Sequence, residues 1–417
     1  MLRWNCLCLL VLAALLVAGC GAKAPPTPTP QPLQIRFVYS SELLTPHYER
    51  LAQDFEATNP RFDVVLQASN PYSALGAVSN SADVAEVDQL GIVMLAQAGL
   101  LRPLEPLLQG SPQLQLATFY GGTIEALRWQ GQQWGLPAGA DPWMLYYNKD
   151  IFDSKGLSYP TNDWTWDDLL NATMRIADPT ADPPIYGIIA DMARADFVPL
   201  VYQNGGTLVD SLVDPKHVTF TDPATVEAVE WYVGLAINLG VMPTPEELRR
   251  QGGFDALVTG QRGAIWYGPL SERGGMAWGR QWPFQWGVVA PPGNRARMTL
   301  VTMRAYVLSA KSERIGPAWE WLQYLALHPS TSFDVPPIKE VAESDAFTAS
   351  LGPDIAAAAL EAMRIGHTIP ATAWVGEVAN WLGEALTAIF EGQMTAMDAL
   401  TIVQERAETL LARQGTG

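Results

Sequence analysis

The chain has 417 residues, 48% of them hydrophobic and 17% charged, which is enough for two lobes with sizeable cores. Its formal net charge of −17, from 43 acidic and 26 basic residues, excludes a nucleic-acid partner, because phosphates need clustered Lys and Arg. The same charge opposes adsorption to anionic lipid. Four histidines, His47, His217, His328 and His367, lie far apart with no ligand spacing, so no metal is expected. No dinucleotide fingerprint, P-loop or nucleophile-elbow motif occurs, and no cofactor is expected.

Residues 1–19 read as a signal peptide. Arg3 supplies the positive charge, residues 7–18 are almost purely apolar, and Ala18-Gly19 lead to Cys20. The apolar run is too short for a good membrane span. Residues 20–32 follow as a Pro- and Thr-rich linker that cannot build a core and reads as a semi-rigid spacer. The chain has three cysteines; Cys6 and Cys8 leave with the signal, so the mature domain is expected to hold no disulfide.

From there the elements come in α/β order. "LQIRFVY" alternates as a strand. "TPHYERLAQDFEATNP" reads as a helix, with Thr45 as cap, Pro46 at the first position and a stripe of Tyr48, Leu51, Ala52 and Phe55. "FDVVLQAS" gives a second strand, which completes a βαβ unit and implies a parallel sheet. "ADVAEVD" is a strand ending at Asp88, and "GIVMLAQAGL" a helix stopped by Gly99. "RWQGQQWGLPAG" reads as a hairpin turning at Gln130-Gly131, and "DPWMLYYNKDIF" as a strand. "TWDDLLNATMRIA" is a helix capped by Thr165, and "DPATVEAVEWYVGLAINLG" a longer one opened by Asp222-Pro223. Helices are expected again from about 354 to 411.

Seven stretches, in order, carry a resemblance: "YERLAQDFEATNP", "SADVAEVDQLGIVMLAQAGLLRPLEPLL", "QWGLPAGADPWMLYYNKDIFDSKGL", "TWDDLLNAT", "ALVTGQRGAIW", "YVLSAKSERIGPAWEWLQYL" and "IFEGQMTAMDAL". Together they resemble the extracytoplasmic solute-binding proteins of ABC importers, in the family of maltose- and other sugar-binding proteins. The ending Leu16-Val17-Ala18-Gly19-Cys20 resembles a bacterial lipoprotein box, which implies a lipid anchor on Cys20 at the outer face of the membrane. The resemblance implies a two-lobe periplasmic-binding-protein-like fold of type II, with the ligand cleft between lobes joined by crossing hinge strands. It implies a lipid-anchored, monomeric receptor that passes a small solute, a carbohydrate above all, to ABC permease subunits without catalysis. Crossings are expected near 139–142, 289–293 and 335–337. Lobe 1 would then be 33–139 plus 293–335, and lobe 2 140–292 plus 336–417.

Ligands of open α/β sheets sit outside the carboxyl ends of the strands. That rule selects Ser40, Ser41 and Glu42 after the first strand, Asp88 after the third, and Asp141 after the hairpin. Aromatic rings can cover the apolar faces of a sugar. The glycine-broken stretch "IWYGPLSERGGMAWGRQWPFQWG" offers Trp266, Tyr267, Trp278, Trp282 and Trp286, and Trp143 and Trp374 are further candidates. For each, a place in the core remains equally open; Trp231, Trp319 and Trp321 are assigned to core or helix surface. Arg304 enters through the resemblance alone, with pairing to a neighbouring carboxylate as its alternative. Because these candidates are more acidic than basic, an anionic solute is not expected. Two other functions stay open at this stage: an exported glycoside hydrolase, which a hydrolysis assay would reveal, and a sensor subunit for signalling.

Overall fold

The computed structural model describes residues 31–194, 196–210, 215–368 and 375–414. The signal sequence, Cys20, most of the Pro/Thr linker and Trp374 lie outside them. The strands are β1 (Leu33–Tyr39), β2 (Phe62–Ala68), β3 (Val84–Asp88), β4 (Arg128–Trp129), β5 (Gln132–Gln133), β6 (Gly135–Asn148), β7 (Tyr186–Ile189), β8 (Gly263–Pro269), β9 (Trp286–Val289), β10 (Thr299–Leu308) and β11 (Gly366–Thr368). Nine of them form one mixed sheet in the order β2-β1-β3-β10-β6-β8-β7, with β9 on β6 and β11 on β10. β4 and β5 pair separately, and the turn between them places Gln130 at φ 50° and Gly131 at φ 75°, as a two-residue hairpin requires.

β1 runs parallel to β2 and to β3, as the βαβ reading implies. Between β1 and β2 the helix Thr45–Thr58 buries Tyr48, Leu51, Ala52 and Phe55. Thr45 does not cap it. The chain is already helical in the 3₁₀ turn Glu42–Leu44, so Leu44 takes the cap position and Thr45 bonds the Tyr39 hydroxyl instead. The helix Trp166–Ile176 has the full capping box, with Thr165 and Asp168 satisfying each other's backbone N–H.

β6 belongs to both halves of the sheet. Residues 135–142 pair with β10, and residues 143–148 with β8 and β9. On one side, Ile35, Phe37, Tyr48, Phe55, Trp321 and Leu325 form a core around β1. On the other, Leu145, Phe152, Trp166, Ile188, Tyr232 and Ile265 form a second core. β10 makes the return: Met298 and Leu300 pack in the second core, Tyr306 and Leu308 in the first. The change of side expected at 289–293 is therefore displaced into β10. Val289 still pairs with Leu145 and Gly293 with Thr165, both in the second half. Pro291 and Pro292 end β9 because proline cannot donate to a ladder, and they mark a turn there. A third strand of chain crosses at Val335, which exchanges both backbone hydrogen bonds with Ala140 at 2.9 and 2.8 Å. Among the described residues no helix is long and apolar enough to cross a membrane.

Where β6 changes partners, Gly139 lies against Asp334. A Cβ on Gly139 would fall 2.0 Å from a carboxylate oxygen of Asp334, which is itself buried and ion-paired. Gly139→Ala is expected to destabilise the protein by about 1–3 kcal/mol in urea unfolding, the usual cost of overpacking; an unchanged midpoint would show that the contact is slack.

Candidate functional site

Glu86 sits in the middle of β3, fully buried in a strand that is otherwise Val, Ala, Val and Asp. A buried carboxylate must be paired and hydrogen-bonded. The Ser40 hydroxyl donates to it at 2.5 Å, and the Tyr48 hydroxyl and Arg304 Nη1 also donate to it. Arg304 continues to Asp334, donating from Nε at 2.9 Å and from Nη2 at 2.7 Å. Its guanidinium lies 5.1 Å from the centre of the Phe333 ring. The Tyr48 and Tyr306 hydroxyls are 3.2 Å apart beside it. Arg304 thus pairs with two carboxylates of its own chain, the alternative that the sequence left open for it.

The other polar candidates are also engaged locally. Ser41 caps the 3₁₀ turn Glu42–Leu44 by accepting from the Leu43 N–H, while Glu42 is exposed. Asp88 caps the helix Gln89–Gln97 by accepting from the Leu90 N–H at 2.8 Å. Asp141 accepts from the Ser271 N–H at 2.9 Å, linking β6 to the stretch Leu270–Trp278. Burial pushes its carboxyl up to about 7, against the Ser271 bond and with added repulsion from Asp334 and Glu272. Trp143 is half-buried, with the Arg194 guanidinium 5.8 Å from its ring centre.

A cavity of about 660 Å³ is lined mainly by residues of the second half, with Leu43 from the first. Leu43, just after β1, forms one edge. Residues 273–286 form the main wall, and Ser350, Leu351 and Ile355 close it from the helices Asp345–Leu351 and Pro353–Arg364. The main wall depends on two glycines. Gly274 and Gly275 have φ of 63° and 84°, and a Cβ on Gly275 would meet the Arg280 carbonyl at 2.1 Å. This tight path lets the Trp282 N–H donate to the Gly274 carbonyl at 2.9 Å. Trp282 then stands edge-on to Trp286, with ring centres 5.4 Å apart and planes at 86°. Trp286 is half-buried and lines the cavity.

Trp266 and Tyr267 are corrections. They are 0% and 1% exposed, and lie in the core behind the cavity wall. Trp266 packs edge-on against Trp282 at 5.0 Å, and Tyr267 belongs to the core on the other side of β8. Both faces of β8 are covered, so its aromatic residues fill volume. Trp278 ends the Leu270–Trp278 stretch, and its side chain is not among those described. Trp231, Trp319 and Trp321 do pack in or against the cores. Of the sequence candidates, Trp282 and Trp286 form part of the cavity wall as described, while Ser40, Ser41 and Glu42 lead up to its edge at Leu43. Glu86, Asp334 and Arg273 were missed. The one sequence signal for Glu86 was a charge at an inward position of an apolar strand.

Residues 42–331 match the sequence model of the family described as bacterial extracellular solute-binding protein. The chain belongs to that family. Solved structures of similar fold include an ABC substrate-binding protein from Listeria monocytogenes in complex with cycloalternan, which is 19% identical with a TM-score of 0.78 and aligns over 92% of this chain and 100% of that one. A cyclic alpha-maltosyl-1,6-maltose binding protein from Arthrobacter globiformis is 19% identical, aligned over 91% and 99%, with a TM-score of 0.76. The sugar-binding protein MalE from the phytopathogen Xanthomonas citri is 17% identical, aligned over 92% and 98%, also at 0.76. These likenesses make the fold the two-lobe periplasmic-binding-protein type. A curated binding protein of Brucella abortus is 26% identical over 129 residues, which span 28% of this chain and 30% of that protein's length.

In this solute-binding protein the three crossing segments meet at carboxyls with raised pKa. Asp334 is pushed up to about 6 by burial and by the charge of Glu86, with Arg304 opposing. For Asp141, raised from 3.8 to about 7, the protonated form is favoured by folding. Its contribution to stability is full below about 4 and is lost as pH rises through 7. Asp141→Asn should therefore gain in unfolding temperature relative to the parent as pH is raised from 5 to 8. A difference that stays constant over that range would contradict the assignment.

Proposed function

We propose that this protein captures a carbohydrate in the cavity between its two lobes and hands it, unaltered, to the permease subunits of an ABC importer. The observation that carries this reading is the partly exposed Trp286 in a cavity walled by residues 273–286 of the second half and edged by Leu43 of the first. An aromatic face suits the C–H face of a sugar ring. A solute touched from both sides favours the closed arrangement, because only that state offers all its contacts. β6, β10 and the segment at Val335 are the natural hinge, since each passes from one core to the other. Lobe 1 is then 33–139 with most of 293–335, and lobe 2 is 140–292 with 336–417, the second boundary being moved into β10. Binding of cycloalternan by the Listeria protein and the cyclic maltosyl-maltose specificity of the Arthrobacter protein support a saccharide as the solute.

The family is extracellular by description, which agrees with a lipid tether at Cys20 and a Pro/Thr spacer behind it. Cys20→Ser should move the protein out of the membrane fraction; unchanged partition would remove the tether. The function itself is tested by a thermal-shift screen across mono- and oligosaccharides, polyols and non-sugar solutes. A true ligand at 100 times its dissociation constant adds about 2.7 kcal/mol of stability. Trp286→Ala should weaken the hit by about 1 kcal/mol, roughly the worth of one ring contact, and mass spectrometry should recover the saccharide intact. No stabilising saccharide, or turnover of one by the pure protein, would overturn the proposal.

A further inference from the structure

The chain carries 43 acidic and 26 basic residues, yet the cavity reverses that balance. Its wall holds Arg273 and Arg280 and, among the described residues that line it, no Asp or Glu. Three arginines stand near the crossing. Arg304 is paired with Glu86 and Asp334, and Arg194 is held by Glu272 at 2.9 Å from one side. Arg273 differs. Its Nη1 donates to the carbonyls of Leu270 and Phe333 at 3.0 and 2.7 Å, and its Nη2 to the carbonyl of Ser332 at 2.5 Å. Asp141 and Asp334 act on it only from a distance, and burial lowers its pKa. A guanidinium has five N–H donors. Two on Nη1 and one on Nη2 are used, which leaves the Nε donor and a second Nη2 donor. Carboxylates accept such parallel pairs. Arg280 is exposed on the same wall and bonds only the Thr259 hydroxyl, at 3.3 Å.

We infer that the solute is an acidic saccharide, a sugar bearing a carboxylate, whose anion is met by Arg273 and Arg280 while a ring face lies on Trp286. This rests on the carbohydrate reading above and narrows it. It also reverses the expectation drawn from the sequence candidates, because Glu42, Asp88 and Asp141 are not in the wall. A partly buried guanidinium whose described hydrogen bonds all go to carbonyls keeps donors for a ligand anion.

The test compares trigalacturonate with maltotriose by titration calorimetry on the mature protein at low and physiological salt. Trigalacturonate should bind at least about tenfold more tightly, and its advantage should shrink as salt screens the arginines. Arg280→Gln, on an exposed side chain, should weaken trigalacturonate by about threefold or more, in the range of a partly exposed ion pair, and leave maltotriose unchanged. Arg273→Gln should do the same more strongly, provided that its circular dichroism matches the parent. Equal or tighter binding of maltotriose would overturn this inference and keep the carbohydrate reading. Trigalacturonate affinity indifferent to Arg280→Gln and to salt would overturn it also. Failure of trigalacturonate to bind at millimolar concentration sinks it, while the wider saccharide screen decides separately whether the carbohydrate reading falls too.

Discussion

Arg304 ties three separate pieces of backbone together at the place where the sheet changes partners. It projects from β10, reaches Glu86 on β3 and Asp334 just before the Val335 crossing. All three groups are largely withdrawn from water, so none can be left without the others; breaking a buried pair of this kind costs about 3–5 kcal/mol. Gly139 on β6 is bare because the Asp334 carboxylate fills the space that a side chain would need. The ion network therefore sets the register of β6, β10 and the third crossing together. The cavity is shaped beyond it, by a stretch of chain that the network does not touch.

That stretch has a different logic. Residues 270–286 are held by left-handed glycines, backbone bonds from Gly279 and Trp282, and tryptophans packed edge to face. Arg273 closes it onto the third crossing through the carbonyls of Ser332 and Phe333. One arginine thus ties β10 to β3 and to Asp334, and the other ties the cavity wall to the carbonyls of Ser332 and Phe333.

The local elements were legible in the sequence because their signals are local. The period-2 alternation gave β1, the stripe of Tyr48 to Phe55 gave the first helix, and Thr165 with Asp168 marked a helix start. What escaped was set by contacts far apart in sequence. Arg304 and Glu86 are separated by 218 residues, and nothing in either neighbourhood names the other. Pro291 and Pro292 look like a hinge but end β9, while β10, with a register shift between Arg304 and Ala305, packs in both cores. Trp266 and Tyr267 sat in a strand buried on both faces, where alternation carries no sign of inside or outside. Trp286 was legible as a candidate because glycines break the stretch before it, although it opens strand β9. The cationic character of the wall was not, because nothing in the sequence around Arg273 or Arg280 shows that they share a cavity.

The central claim is that two lobes close over a solute by bending at the crossing strands. Small-angle scattering of the mature protein, free and saturated with the saccharide found by thermal shift, tests it most directly. The account predicts a smaller radius of gyration and a changed profile on saturation. An identical profile with calorimetrically proven occupancy would contradict it.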